Sequence, residues 1–193
     1  MNVQHINIKF YLEHPETIHL AEYAAVFNSW IQRRALEDLL IDVADYLHVH
    51  HGPGIMLIGH EADYSLDHRA GRLGLLYNRK APLEGSTQEK LAQAVRVALT
   101  AAQLLEKENG LTFKTQEMQV IVNDRLLVPN NAETFAVLEP ELKAFFERLY
   151  NGAEYTLAHH SDPRERFTVN VKAETSFSVE MLLKHLSLET AHA

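Results

Sequence analysis

Twelve histidines and no cysteine set the chemistry available to this 193-residue chain. An imidazole has an ordinary pKa of about 6.5. Protonating all twelve would carry the formal charge from −8 through zero in mildly acid solution. The lack of cysteine excludes thiol catalysis, disulfide frameworks and Cys-ligated zinc or iron–sulfur. Imidazole, carboxylate and guanidinium chemistry remain.

One constellation follows from alternation on neighbouring strands. Ile41, Val43, Leu47 and Val49 are apolar at odd positions, and Met56, Ile58, Ala62, Tyr64 and Leu66 at even ones. Opposed residues sharing a face then have an odd index sum. A tight turn at Gly52-Pro53 sets Val49 opposite Met56, and so Asp45 opposite His60. The next hairpin sets Leu66 opposite Leu73, and so His60 opposite Arg79. The expectation is a row Asp45–His60–Arg79 on a mainly aliphatic face. In one reading Asp45 orients His60 as general acid or base while Arg79 holds an anionic group. Lys80, Tyr46 and Glu61 complete that ligand-binding set. In the other, the row is a buried polar device that fixes register and binds nothing. With His60 buried against Asp45, His60→Ala should lower stability by about 2–4 kcal/mol.

Two further groups could hold a cation. His48, His50 and His51 follow one apolar run, and imidazoles at i, i+2 on a strand project to one face, as Zn²⁺, Ni²⁺ or Cu²⁺ requires. A zinc site needs three or four ligands, which His159-His160 would supply if the turns met; water-exposed turn histidines are the alternative. On the opposite face Asp42 is expected beside Asp63 with Glu61 diagonal to them, a set that suits a hard cation or simply faces water. The sequence holds no calcium loop, Gly-rich phosphate loop, dinucleotide fingerprint or nucleophile elbow.

These residues sit on readable elements. A strand is expected over 7–13, a helix over 18–34, and three β runs over 39–49, 55–66 and 72–80, which short turns can join only as an antiparallel meander. Ser86-Thr87-Gln88-Glu89 is a capping box opening a helix that Gly110 closes. A strand over 112–123, a helical region over 132–150 interrupted or kinked at Pro140, a hairpin over 154–159 and 166–173, and a helix over 176–188 complete the chain. The order β-α-β-β-β-α then β-α-β-β-α makes an α+β fold, mainly one antiparallel sheet with helices on one face. It is read as one domain, 1–193. Asp45-Tyr46 before His50-His51 and Glu154-Tyr155 before His159-His160 repeat one pattern in halves 1–110 and 111–193. An internal duplication about a pseudo-two-fold axis is one account of that repeat, and coincidence the other.

Charge argues against nucleic acid, since 18 basic residues are scattered among 26 acidic ones. No apolar run reaches membrane-spanning length and no leader pattern opens the chain, so a cytoplasmic setting is expected. Strand edges that need cover, with the general frequency of symmetric dimers, suggest a homodimer. The runs 40–46, Gly52-Pro53-Gly54 and 58–64 resemble a family of uncharacterised bacterial proteins of this size. That resemblance covers 36–80 and implies a bacterial, cytoplasmic setting without an activity. The leading expectation is a protein that binds a small ligand or divalent metal. The alternatives are an enzyme using His60 with Asp45 and Arg79, and a non-catalytic module whose acidic surface docks on a basic partner.

Overall fold

Alternation along β1 (Ile6–Leu12) divides the molecule into two sides. Ile6, Ile8, Phe10 and Leu12 belong to the main apolar core, whereas Asn7, Lys9 and Tyr11, which alternate with them, lie outside it although equally buried. In this computed structural model, which describes residues 1, 3–50 and 52–189, β1 lies inside one eight-stranded antiparallel sheet. Its other strands are β2 (Leu40–Tyr46), β3 (Gly54–Gly59), β4 (Ala62–Asp67), β5 (Gly74–Arg79), β6 (Phe113–Val122), β7 (Tyr155–His159) and β8 (Phe167–Ala173). Their spatial order is β2-β3-β4-β5-β1-β6-β8-β7.

Four helices cover the apolar side: α1 (Tyr23–Arg33), α2 (Thr87–Asn109), α3 (Ala132–Leu149) and α4 (Val179–Glu189). The α+β expectation holds. Phe27 and Trp30 of α1, Leu99 of α2, Phe145 of α3 and Leu182 of α4 are fully enclosed, each such side chain contributing roughly 1.5–3 kcal/mol. The capping box at Ser86 and Glu89 is formed, and Gly110 ends α2 with a φ of 66°. Helix α3 runs through Pro140 without a break. Pro140 and Ala136 are both exposed, so the carbonyl deprived of its intrahelical donor can be hydrated.

The meander departs from expectation in its middle run. The run over 55–66 is two strands, β3 and β4, joined by the two-residue turn His60-Glu61. Ile55-Met56-Leu57-Ile58 is continuously apolar and carries no alternation to declare a face. Ile55 and Leu57 turn inward, while Met56 and Ile58 are half-buried on the other side.

Strand pairing also bears on the two halves. β1 and β6 lie side by side, flanked outward by β5 then β4 on one hand and β8 then β7 on the other. Among the described residues β2 and β3 have no counterpart in the second half. Asp45-Tyr46 sits in β2 whereas Tyr155 opens β7, whose topological equivalent is β4. The repeated pattern therefore does not occupy equivalent strands.

Candidate functional site

Register determines what surrounds Arg79. Pairing of β4 with β5 sets Leu66 opposite Leu75 and Ala62 opposite Arg79. This lies two residues from the expected pairing, and a slip of two preserves faces. Arg79 accordingly points to the helix side, and its side chain is 8% exposed. Its Nη1 donates to Glu61 Oε2 at 2.7 Å, Nε to the Ala81 carbonyl at 2.9 Å and Nη2 to the Pro82 carbonyl at 3.4 Å. Glu61 is 50% exposed, so the buried guanidinium is paired with a carboxylate that still reaches water.

The turn above Arg79 is held by its backbone. Asp38, in the α1–β2 connection, accepts from the N–H groups of Glu61 (3.1 and 3.2 Å) and Ala62 (3.0 Å). The His60 N–H donates to the Leu39 carbonyl at 2.8 Å. Lys80 and Ala81 N–H groups donate to the Glu61 carbonyl at 2.8 and 3.0 Å. A Cβ at Gly59 would press into the Asp38 carboxylate and the Ala62 carbonyl, so this clasp closes only over glycine.

Beneath the clasp lies a cleft of about 470 Å³. Ala62, Tyr64, Tyr77 and Arg79 form its sheet side, Gln93, Arg96, Val97 and Thr100 its α2 side, and Leu36, Asp38 and His60 its outer edge. The Tyr64 and Tyr77 rings are 5.6 Å apart and tilted. The Tyr77 hydroxyl donates to Gln93 Oε1 at 3.3 Å. Burial pushes both phenols above their ordinary pKa, so they act as neutral hydrogen-bonding groups across physiological pH.

The expected row is broken. Asp45 lies opposite Ile55, and its Oδ1 accepts from the Leu47 N–H at 2.8 Å. His60 is exposed at the turn and meets the cleft from its rim. Of the expected set, the cleft brings together His60, Glu61 and Arg79, leaving Asp45, Tyr46 and Lys80 outside. Tyr46 is exposed at the end of the edge strand β2, opposite Gly54. Lys80 reaches the other side of the sheet, donating to the Gly59 carbonyl at 2.6 Å and meeting Asp63 at 2.6 Å.

The cation sites expected from sequence are not assembled. β2 ends at Tyr46, so His48 and His50 lie in the turns after it, not at i, i+2 on a strand. His51 lies outside the described residues. His159 bonds Asn130 at 2.8 Å and stacks on Phe135, in a different part of the sheet. Asp42 and Asp63 are separated by Ile58, which pairs with both, and Asp63 is engaged by Lys80. Among the described residues no group of three or more His, Asp or Glu side chains could hold a metal ion.

Asp38, Tyr64, Tyr77 and Gln93 escaped the sequence reading. Asp38 bonds residues 23 and 24 positions away, across a turn that was read as mid-strand. Gln93 offered one local signal, a polar residue beside the apolar stripe of α2. A scan against protein-family models finds no match, and a search of curated proteins finds no relative. Among the described residues no helix is long and apolar enough to cross a membrane.

Proposed function

We propose that the chain binds a small organic molecule bearing a carboxylate or comparable acceptor in the cleft between the β3–β4 turn, the α1–β2 connection and α2. The observation that carries this reading is an open, partly polar cavity on the sheet face that the helices otherwise fill, with buried Arg79 on its floor. Concave sites with apolar walls and few convergent polar groups are the usual form of small-ligand pockets. An incoming carboxylate would displace Glu61 from Arg79, exchanging one charge-assisted bond for another, while Glu61 swings into solvent. Gln93 and the two phenols supply neutral donors and acceptors beside it.

His60 on the rim has no side-chain hydrogen bond among the described residues, and the carboxylate expected to orient it is elsewhere. The binding reading is therefore preferred to the acid–base one. Saturation-transfer NMR with a panel of aromatic and aliphatic carboxylates tests it. The wild-type chain should show saturable contacts with members of the panel, and Thr100→Trp, which fills the cleft from α2, should abolish them. Equal signals from the two proteins, or none from wild type, would refute the reading.

A further inference from the structure

The loop-covered side of the sheet carries a second cavity, of about 510 Å³, with a different charge arrangement. Its floor is Lys9 and Tyr11 of β1, Leu76 of β5, and Gln119 and Ile121 of β6. Arg69 overhangs it from the connection after β4, and Arg166 from the segment before β8. In a cavity holding several charged groups, those not neutralised by a neighbour are the ones that attract a ligand.

Lys9 and Asp67 form a buried pair that engages one carboxylate oxygen and leaves Asp67 Oδ2 without a hydrogen bond. Lys9 Nζ donates to Asp67 Oδ1 at 2.6 Å and to the Arg69 carbonyl at 3.4 Å, with both side chains almost wholly buried. The same Asp67 oxygen accepts from the Arg69 backbone N–H at 3.1 Å. Asp162 is likewise occupied, accepting from Arg164 Nε at 3.1 Å and Nη2 at 2.9 Å. Asn130 is tied to the His160 and Asp162 carbonyls, and Gln119 donates to Asn170 at 2.8 Å.

Two guanidiniums are left over. Among the described residues neither Arg69 nor Arg166 has a side-chain ion pair or hydrogen bond, and Glu165 at the rim is exposed and makes none either. Arg166 is half-buried; burial, then the charge of Arg69 nearby, pulls its pKa down against the smaller opposing pull of Asp67 and Glu165. Arg166 is partly desolvated while Arg69 is exposed, and two like charges facing one cavity repel unless an anion lies between them. Paired guanidinium forks match the geometry of phosphate oxygens.

We infer that this cleft binds a phosphate group, held between Arg69 and Arg166. The group arrives either as the free ion or as the monoester of a small polar solute, and the cavity has room beside the arginines for such a solute. Glu165 opposes binding by charge alone.

Isothermal titration of the full chain at constant ionic strength, with inorganic phosphate and separately with glucose 6-phosphate, tests the inference. Saturable binding with a Kd below about 1 mM is expected for at least one probe. Preference for the ester would identify a solute site, and preference for the ion a phosphate site; either supports the inference. Arg69→Gln and Arg166→Gln should each weaken binding by about tenfold or more, and Glu165→Gln should strengthen it a few-fold. A wild-type chain that saturates with neither probe overturns the inference whatever the variants do. So does binding that survives unchanged in folded Arg166→Gln.

Discussion

On the helix side of the sheet, Arg79 sits at the margin of an apolar core and shares its charge with a half-exposed Glu61. On the loop side, Lys9 and Asp67 lie deep under the connections and pair with one another, while Arg69 and Arg166 nearby have no such side-chain partner. Helices cover a sheet with side chains that exclude polar groups, so a charge survives there only at an opening to water. Loops bring their own carbonyls and N–H groups, as the Arg69 backbone does for both Lys9 and Asp67. A paired charge can then be buried in mid-sheet. The two clefts, similar in volume, should therefore answer different ligands: one an organic acid against tyrosines, the other a compact phosphate between arginines.

The largest effect should come from breaking the paired side. Lys9→Ala leaves the buried Asp67 carboxylate without its cation and should destabilise by about 3–5 kcal/mol in urea melts. The double change Lys9→Met with Asp67→Leu should recover most of that loss, because well-packed apolar pairs commonly replace buried ion pairs. A double variant as unstable as the single one would mean that the loops, not the pair, hold this face.

On the helix side, Gly59→Ala should lower stability by about 1–3 kcal/mol by forcing Asp38 away from the turn. It should also weaken carboxylate binding. Ser86→Ala, which removes one half of the α2 capping box, should lower stability by about 1 kcal/mol. That change also tests an acid transition. Glu89 is held below its ordinary range by the Ser86 backbone and hydroxyl, Glu117 by Arg72, and Asp162, at about 2, by Arg164. Carboxylates whose pKa falls on folding contribute stability above their unfolded values and lose it as pH drops through the folded ones. Melts should therefore weaken from about pH 4.5 down towards 2, with a smaller decline in Ser86→Ala.

The smallest effect separates the two registers. With His60 exposed in a turn, His60→Ala should lie within about 0.5 kcal/mol of wild type, not the loss of about 2–4 kcal/mol that a buried row implies. A large loss would restore the row Asp45–His60–Arg79 and dismantle the cleft.

What the sequence disclosed follows from where its patterns are unambiguous. Ser86, Glu89 and Gly110 declare α2 because capping and a left-handed C-terminus are local requirements. Arg79 was placed on the correct face because a two-residue slip leaves faces intact. Asp45 and His60 were misplaced together, because Ile55 to Ile58 are all apolar and the turn His60-Glu61 lacks the glycine or asparagine that usually announces a two-residue hairpin. The clasp by Asp38 and the pairing of Lys9 with Asp67 join residues 23 and 58 positions apart. Nothing local in a chain reports bonds of that span.

The proposed organic acid enters the Arg79 cleft on the helix side. Amide chemical-shift mapping tests this most directly, on the ¹⁵N-labelled chain titrated with the carboxylate that gives the strongest saturation-transfer signal. Shifts should centre on Asp38, Glu61, Arg79 and Gln93 and leave Arg69, Gln119 and Arg166 unmoved. Shifts concentrated instead on Lys9, Arg69 and Arg166 would contradict it, placing the acid in the phosphate cleft on the other side of the sheet.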